Sequence, residues 1–267
     1  MLPPNPTPPL PMSIDASLVA SLRSRTGVSI LECQKALEEA GGDEEKAIEL
    51  LRKRGAAQAV KKAAREQSEG LIFIAQEEGK VALVLLRCET DFVARNEDFQ
   101  ALGNELAALA LSDGEEAVRN ANDKITAAVQ QLGENITLGD VNVIEGETLG
   151  TYVHTNSKIG VVVSLNGGTT ELAKEVAMHT AAMNPSFVTP DDVPADTIEK
   201  EKGMWKEQLK KDGKPDEIIE KIILGKEKKF REESALTTQP FVKNPEQTIG
   251  QLLGDASVTS YMRMSVA

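Results

Sequence analysis

The heptapeptide TDFVARN at residues 90–96 places an acid beside a large aromatic side chain. An apolar, β-like run at residues 81–86 precedes it and a helical pattern begins near Asn96, so the pair lies at a predicted strand-to-helix turn. Only 3% of the residues are aromatic, which makes a phenylalanine at a turn unusual. The combination suggests that this side chain contacts a partner.

Two interpretations of Phe92 stay open on the pattern alone. A lone phenylalanine usually folds back and fills the core. However, Thr90 and Asp91 are turn formers that lead the backbone away from the sheet. An exposed aromatic on a rigid turn is a typical interface anchor. The alternatives are therefore a buried core residue and an exposed wedge, meaning a side chain that inserts into a partner.

The sequence lacks the common motifs of covalent and nucleotide chemistry. No GxxxxGK[ST] loop, no GxGxxG between a strand and a helix and no GxSxG elbow occurs. The two histidines, His154 and His179, have no spacing to cysteine or glutamate that would hold zinc, and each is interpreted as structural or polar surface. Most carboxylates lie on helix faces that look solvated. We therefore predict no enzyme, no metal site and no cofactor.

Composition narrows the function classes further. The chain has 267 residues and a formal net charge of −12, which works against binding to a phosphate backbone. Cys33 and Cys88 lie among apolar neighbours and are too few for a disulfide framework, so we expect core residues of a reducing compartment. The sequence contains no apolar run of about 18 residues, so no transmembrane helix is predicted.

The first residues are proline-rich. Residues 1–11 hold six prolines and no charge, unlike a signal peptide or a mitochondrial transit peptide. Residues 1–12 are predicted to be a disordered tail or an over-extended gene start. Met1 and Met12 both stay open as the true start.

Three short helices are predicted in residues 13–55. Ser29 and Glu32 form a capping-box pattern at the start of the second, and Asp43 can cap the third. Gly55 is expected to stop the third helix, before a connecting helix over residues 56–66.

Ile30 and Leu31 are adjacent at the start of the second predicted helix. Because neighbouring residues on a helix cannot both face inward, we expect one of them to be exposed. A small docking face and a hydrophobic staple explain this equally well.

Sheets and helices follow in a loosely repeated order, which indicates an α+β fold with two related halves. The predicted strands and helices are a hairpin at residues 70–74 and 81–86, helices at 97–111 and 115–131, β segments at 140–145, 149–154 and 159–165, a helix at 170–183, a short helix at 247–253 and a last strand at 258–266, returning to the second sheet.

Residues 190–235 are dense in glutamate and lysine with sparse apolar positions, and Gly213 and Pro215 interrupt them. This pattern predicts an antiparallel helical hairpin that is too polar for a central core. A solvated surface arm and a docking or dimerising arm stay open.

Six short motifs together are specific to one protein family. They are LRSRTGV at residues 22–28, CQKAL at 33–37, TDFVAR at 90–95, GENI at 133–136, AMH at 177–179 and QPFV at 239–242. On these motifs the chain closely resembles the bacterial elongation factor Ts family, from about Ser13 to Arg263.

The resemblance implies an N-terminal three-helix UBA-like domain, a core of two related α+β subdomains with antiparallel sheets, and an inserted helical hairpin. On this chain the implied division is a disordered Pro-rich tail at 1–12, the UBA-like domain at 13–55, the core N-subdomain at 56–139, the core C-subdomain at 140–189 and 236–267, and the hairpin, a coiled-coil arm, at 190–235.

The resemblance also implies site residues. Thr90, Asp91, Phe92 and Val93 would displace Mg²⁺ from a partner GTPase. Other contacts with that GTPase would fall on the helical domain and the core, at Arg23, Ile30, Leu31, Leu132 and His154.

The implied function is that of a cytoplasmic guanine-nucleotide exchange factor. It would bind elongation factor Tu with GDP and promote GDP release without covalent chemistry, cofactor, direct nucleic acid contact or membrane. A homodimer through the hairpin is an open alternative. Two other functions are alternatives. One is a scaffold or chaperone-like module. The other is an enzyme that uses a carboxylate pair, but no spacing of carboxylates in the sequence supports it.

Overall fold

The computed structural model describes residues 14–266, so the predicted tail at residues 1–12 and the choice of start lie outside the described residues. The helices are α1 (Ala16–Thr26), α2 (Ile30–Glu39), α3 (Glu44–Lys62), α4 (Asp91–Ala94), α5 (Glu97–Asp113), α6 (Glu115–Arg119), α7 (Asn122–Leu132), α8 (Thr170–Met183), α9 (Ala195–Lys211), α10 (Asp216–Ser234) and α11 (Ile249–Leu253). The strands are β1 (Glu69–Glu77), β2 (Lys80–Cys88), β3 (Thr137–Glu145), β4 (Thr148–Val153), β5 (Ile159–Asn166), β6 (Pro240–Phe241), β7 (Asn244–Thr248) and β8 (Ser257–Ser265).

The mixture of helices and small sheets confirms the predicted α+β class. One sheet has the order β1-β2-β3, a second has the order β4-β5-β8, and β6 pairs with β7. β5 pairs antiparallel with both β4 and β8, so the last strand does return to the second sheet.

The chain forms two compact units. The first comprises the described part of Met1–Gly70 together with Leu86–Leu102 and Arg119–Gly139, and the second comprises Leu71–Leu85, Gly103–Val118 and the described part of Asp140–Ala267. The division into a UBA-like domain, two related subdomains and an inserted arm stays a prediction.

Helices α2 and α3 in the first unit begin at the caps predicted from the sequence, and α1 ends at a glycine. The Asp43 carboxylate caps α3 by accepting from the Lys46 amide at 3.0 Å, and Ser29 caps α2. Gly27 ends α1 in the left-handed region, with φ of 66°. The three helices enclose a core of Val19, Leu22, Val28, Cys33, Ala36, Leu37, Ala47 and Leu51.

The predicted helix stop at Gly55 is wrong, because α3 runs without a break from Glu44 to Lys62. Gly55 is buried inside the helix, and a Cβ atom there would lie 2.5 Å from the Gln130 Oε1 atom of α7. The missing side chain therefore allows close packing against α7 and does not break the helix.

β5 is the central strand of the second unit, and its side chains alternate between two buried clusters. Val161, Val163 and Leu165 pack with residues of α8 such as Val176. Val162 belongs to the other cluster, with Ile72, Val81, Leu83, Leu85, Met264 and Val266. This period of two, with both faces buried, explains the continuous apolar run in the sequence.

The predicted helical hairpin is confirmed as α9 and α10, which are joined through a turn at Gly213 with φ of 72°. Lys202 of α9 and Glu227 of α10 form an ion pair at 2.9 Å. The Trp205 and Phe230 rings meet edge to face, 5.9 Å apart.

Two local features differ from the predicted elements. The helix expected over residues 115–131 is two helices, α6 and α7, separated near Ala121. Asn120 and Asn122 flank this break, and asparagine side chains compete for helical backbone groups. The two-stranded ribbon of β6 and β7 was not predicted, because its strands are short and contain prolines at 240 and 245.

Within residues 14–266, no helix has the length and hydropathy needed to cross a membrane.

Candidate partner-binding surface

The turn at residues 90–94 is a single helical turn, α4, that begins at a threonine cap. The Thr90 Oγ1 atom accepts a hydrogen bond from the Val93 amide at 3.4 Å. Ala94 faces inward and is 3% exposed, whereas Phe92 is 80% exposed. The core-residue interpretation of Phe92 is therefore wrong and its exposure is confirmed. Its action as a wedge stays a prediction.

The base of this turn is held by the carboxylate of Glu134, which lies in the loop after α7. Glu134 Oε2 accepts hydrogen bonds from the backbone amides of Glu89 and Thr90, both at 3.0 Å. Glu134 Oε1 accepts from the Thr90 hydroxyl at 2.5 Å. One carboxylate therefore accepts hydrogen bonds from three donor groups, which belong to two consecutive residues.

The bonding is reciprocal. The Glu89 carboxylate accepts from the Asn135 amide at 2.7 Å and pairs with Arg65 at 3.3 Å. The Asn135 side chain is buried and donates to the Arg65 carbonyl at 3.0 Å. The turn before α4 and the loop after α7 are thus connected by side chains from both directions.

Asp91 and Arg95 form an ion pair one helical turn apart, at 2.8 Å. Their side chains are 44% and 78% exposed, so water screens the pair and its contribution to stability is small. The carboxylate next to Phe92 is therefore accessible from solvent.

Cys88 lies beneath the turn and donates through its thiol to the Thr90 carbonyl at 3.2 Å. Burial, assisted by the charges of Glu134 and Glu69, raises the pKa of Cys88 to about 12. A buried thiol with a raised pKa stays protonated at neutral pH, which makes it a poor nucleophile. Cys33 and Cys88 are both buried and free, as predicted for core residues.

The residues of the helical domain that were predicted to contact the partner are exposed. Ile30 and Leu31, at the start of α2, are 55% and 59% exposed, so both face outward where only one was expected to. Ile30 and the exposed Arg23 of α1 line an open groove of about 730 Å³, which Asp98 and Gln131 also line. The Gln131 amide donates to the Asp98 carboxylate at 2.7 Å.

The two predicted contact residues that lie outside the helical domain, Leu132 and His154, belong to different units. Leu132 is half-buried and ends α7 in the first unit, directly before Gly133 in the left-handed region. His154 is exposed after β4 in the second unit, where its Nδ1 atom accepts from the Thr155 amide at 2.9 Å. The first unit thus contains Arg23, Ile30, Leu31, Thr90, Asp91, Phe92, Val93 and Leu132.

His179 is fully buried in α8 and is structural, in agreement with its interpretation from sequence. The Val242 amide donates to its Nδ1 atom at 3.3 Å, so its Nε2–H group donates to Gln239 Oε1 at 3.0 Å. Burial lowers the pKa of His179, and the hydrogen bond that the ring donates to Gln239 opposes this shift.

Glu134 is the residue of this surface that sequence reasoning did not single out. Its signal was present, since it lies in the motif GENI at residues 133–136. Nothing in the pattern, however, indicates that this loop meets the turn at Thr90, which is 44 residues away.

Comparison with known proteins identifies the family. A family model described as Elongation factor TS matches residues 89–267. An elongation factor Ts of Marinobacter nauticus is 44% identical over 95% of this chain and 91% of its own length. That of Photorhabdus laumondii is 46% identical over 95% and 92%, and that of Deinococcus deserti is 43% identical over 93% and 98%.

The chain belongs to the elongation factor Ts family. Membership confirms the resemblance carried by the sequence motifs and supports a role as a translation elongation factor in nucleotide exchange. The elongation factor Ts matches cover both compact units, and the family model begins at Glu89, directly before the turn that carries Phe92.

Proposed function

We propose that this chain is a cytoplasmic exchange factor that binds elongation factor Tu with GDP, displaces its Mg²⁺ and promotes GDP release so that GTP can bind. The observation that carries the proposal is the 80% exposure of Phe92, on a turn held by three hydrogen bonds, in a member of the elongation factor Ts family. An aromatic held rigidly in water is suited to contact another protein.

The proposed mechanism is differential binding without covalent chemistry. Bound GDP and Mg²⁺ stabilise each other in the partner, because the metal neutralises phosphate charge. A side chain that shifts the metal-bearing elements removes this mutual support. By linkage, the factor that weakens nucleotide binding is itself bound less tightly when nucleotide returns, so exchange proceeds in both directions.

In this mechanism Thr90, Asp91, Phe92 and Val93 act on the magnesium side of the nucleotide pocket. Asp91 has a solvent-accessible carboxylate beside Phe92, which suits a position near a divalent cation. The carboxylate would oppose phosphate and attract metal, and the aromatic would separate the elements that hold both.

Affinity would come from contacts outside the turn. Arg23, Ile30 and Leu31 would bind the GTPase domain, since two neighbouring exposed apolar side chains form a small anchor patch. Leu132 and His154 would bind the partner's other domains. Such a division separates residues that set affinity from residues that set the rate of GDP release.

The test is release of labelled GDP from purified elongation factor Tu in excess unlabelled nucleotide. A substoichiometric amount of this chain should accelerate release, because each molecule acts repeatedly. Tight binding with no acceleration would favour a scaffold instead.

The magnesium step is tested by repeating the assay after chelation of Mg²⁺. If the chain acts by displacing the metal, its acceleration should shrink when the metal is already gone. An equal acceleration with and without Mg²⁺ would refute this step while leaving exchange activity intact.

A homodimer through the hairpin is a second proposal. Met204, Ile218 and Leu224 are 57%, 47% and 66% exposed on α9 and α10. From the start of α9 to the end of α10 there are eleven acidic and eleven basic residues, whereas the whole chain has a net charge of −12. The hairpin is therefore locally neutral, so a second copy would meet little charge repulsion there. Sedimentation equilibrium should show a dimer that Leu224→Glu dissociates.

A further inference from the structure

We propose that Glu134 is a positioning residue for exchange, which fixes the turn at Thr90 so that Phe92 projects in one orientation. This inference rests on the proposed function. It concerns a residue that does not itself need to contact the partner. Its action goes through the backbone of the turn that carries the wedge.

The first step is the number and kind of bonds. Glu134 uses both carboxylate oxygens on one corner of the chain, accepting from two consecutive amides at 3.0 Å and from a hydroxyl at 2.5 Å. Hydrogen bonds to an ionised acceptor are about twice as strong as neutral ones. The backbone at Glu89 and Thr90 is therefore held by charge-assisted hydrogen bonds, which are stronger than bonds to a neutral acceptor.

The second step is the orientation of the Thr90 hydroxyl. An ionised carboxylate can only accept, so the hydroxyl proton of Thr90 points to Glu134. This leaves an oxygen lone pair of Thr90 free to accept from the Val93 amide at 3.4 Å, which is the bond that caps α4. Glu134 thus determines the orientation of the Thr90 hydroxyl, which caps α4.

The third step is that the loop carrying Glu134 has its own support. The Asn135 amide donates to Glu89 and the Asn135 side chain donates to the Arg65 carbonyl, at 2.7 and 3.0 Å. Neither bond uses the side chain of Glu134. A change from carboxylate to amide at position 134 therefore loosens the turn without removing the bonds that hold the loop.

Part of the predicted contact surface lies directly beside this loop. Leu132 ends α7 two residues before Glu134, and the glycine between them is in the left-handed region with φ of 79°. Glu134 consequently fixes the wedge turn relative to a loop that lies beside another predicted anchor. Loosening this link would let Phe92 reach its target less often, although the anchors still bind.

The experiment measures GDP release from elongation factor Tu as a function of the concentration of this chain, which separates the maximal rate from the half-saturating concentration. The variant is Glu134→Gln, which keeps the size of the side chain. An NH₂ group toward the two backbone amides would lose those bonds, whereas an NH₂ group toward Thr90 would make the hydroxyl accept and not donate; in both cases the charge of the acceptor is gone. The matched control is Glu66→Gln, the same loss of charge at an exposed position in the same unit.

We expect Glu134→Gln to lower the maximal rate about tenfold, in line with the loss of a charge-assisted bond, with a half-saturating concentration within about twofold of wild type. Glu66→Gln should match wild type in both. Thr90→Ser, which keeps the hydroxyl, should retain most of the rate, and Thr90→Val should lose it. Combining Thr90→Val with Glu134→Gln should cost little more than the worse single change, because both act on the same charge-assisted bond.

A wild-type maximal rate for Glu134→Gln would overturn the inference. So would a loss of rate that comes with an equal loss of affinity and a lower melting temperature, because that pattern is general unfolding. If the wild-type chain itself does not accelerate GDP release, the proposed function fails and the role of Glu134 in exchange fails with it. The two failures are therefore distinguished by the wild-type arm.

Discussion

Phe92 and Ala94 lie two residues apart on one helical turn, yet Phe92 is 80% exposed and Ala94 only 3% exposed. Burying a phenylalanine side chain stabilises a protein by about 1.5–3 kcal/mol, and this turn forgoes that gain. The small residue instead faces the interior. The aromatic is thus not needed for the fold.

The first prediction follows for Phe92→Ala. Its free energy of unfolding should stay within about 0.5 kcal/mol of wild type, as for other exposed substitutions. GDP release from elongation factor Tu should slow by about tenfold or more, the loss expected for an interface anchor. Phe99 is the matched control, because it is fully buried. Phe99→Ala should cost about 3–5 kcal/mol of stability. Normal exchange by folded Phe92→Ala would refute the wedge.

The second prediction concerns the exposed pair of Asp91 and Arg95. Because both side chains are largely in water, neither Asp91→Asn nor Arg95→Ala should change the melting temperature noticeably. Asp91→Asn should slow GDP release, since it removes a charge from the magnesium side. Arg95→Ala should affect release less and should leave the salt dependence of the rate nearly unchanged. Equal effects of the two changes would show that the ion pair, and not the Asp91 carboxylate, is what matters.

The third prediction concerns Ile30 and Leu31, which are exposed and proposed as anchors. Replacing both by alanine should raise the half-saturating concentration of this chain by about tenfold, the effect of losing one anchor contact, with little change in the maximal rate. Val60 is a suitable control, because it is apolar and 77% exposed on α3, outside the proposed surface. Val60→Ala should behave as wild type. A fall in the maximal rate of the double variant would contradict the division between anchors and wedge.

Sequence reasoning was most reliable where one periodicity decides the outcome. β5 and α8 have continuous or helical apolar patterns, and their bounds, Ile159–Asn166 and Thr170–Met183, agree closely with the predicted ones. The family could also be identified, because its motifs are specific. Local pattern is sufficient for these features.

Sequence reasoning was less reliable where a contact with a residue far away in the sequence determines the local structure. Gly55 looked like a helix stop, and only the position of Gln130 on α7 shows that it permits packing. Phe92 was ambiguous because the turn that carries it is held by Glu134, which lies 44 residues from Thr90 in the sequence. Propensity rules contain no information on such contacts, and tertiary structure overrides them.

The fourth prediction uses two glycines in different surroundings. A Cβ atom on Gly150 of β4 would lie 2.2 Å from the backbone of Ala173 in α8, whereas one on Gly203 of α9 would meet nothing within 4 Å. Gly150→Ala should therefore destabilise the protein by about 3 kcal/mol, the cost of overpacking against a backbone that cannot yield. Gly203→Ala should stabilise it by about 0.5–1 kcal/mol, because alanine is favoured in a helix interior. Chemical denaturation of the two variants tests both signs.

The fifth prediction is a pH dependence of stability that comes from His179. Its pKa is lowered, chiefly by burial, and protonation would place a hydrogen on Nδ1 opposite the Val242 amide that now donates to it. The folded protein thus prefers the neutral ring. The sign follows from proton binding: between the lowered pKa and the ordinary value of about 6.5, the unfolded chain binds more protons than the folded one.

The stabilisation due to His179 should therefore be complete above about pH 6.5 and decline as the pH falls through that value toward the lowered pKa. Urea unfolding at a series of pH values measures this slope. His179→Gln should be less stable at neutral pH, because it loses a buried pair of hydrogen bonds, but its slope in this window should be flatter. His154→Gln is the matched control, because it removes the other histidine of the chain, which is exposed. A slope that persists in His179→Gln and disappears in His154→Gln would assign the dependence to the surface residue instead.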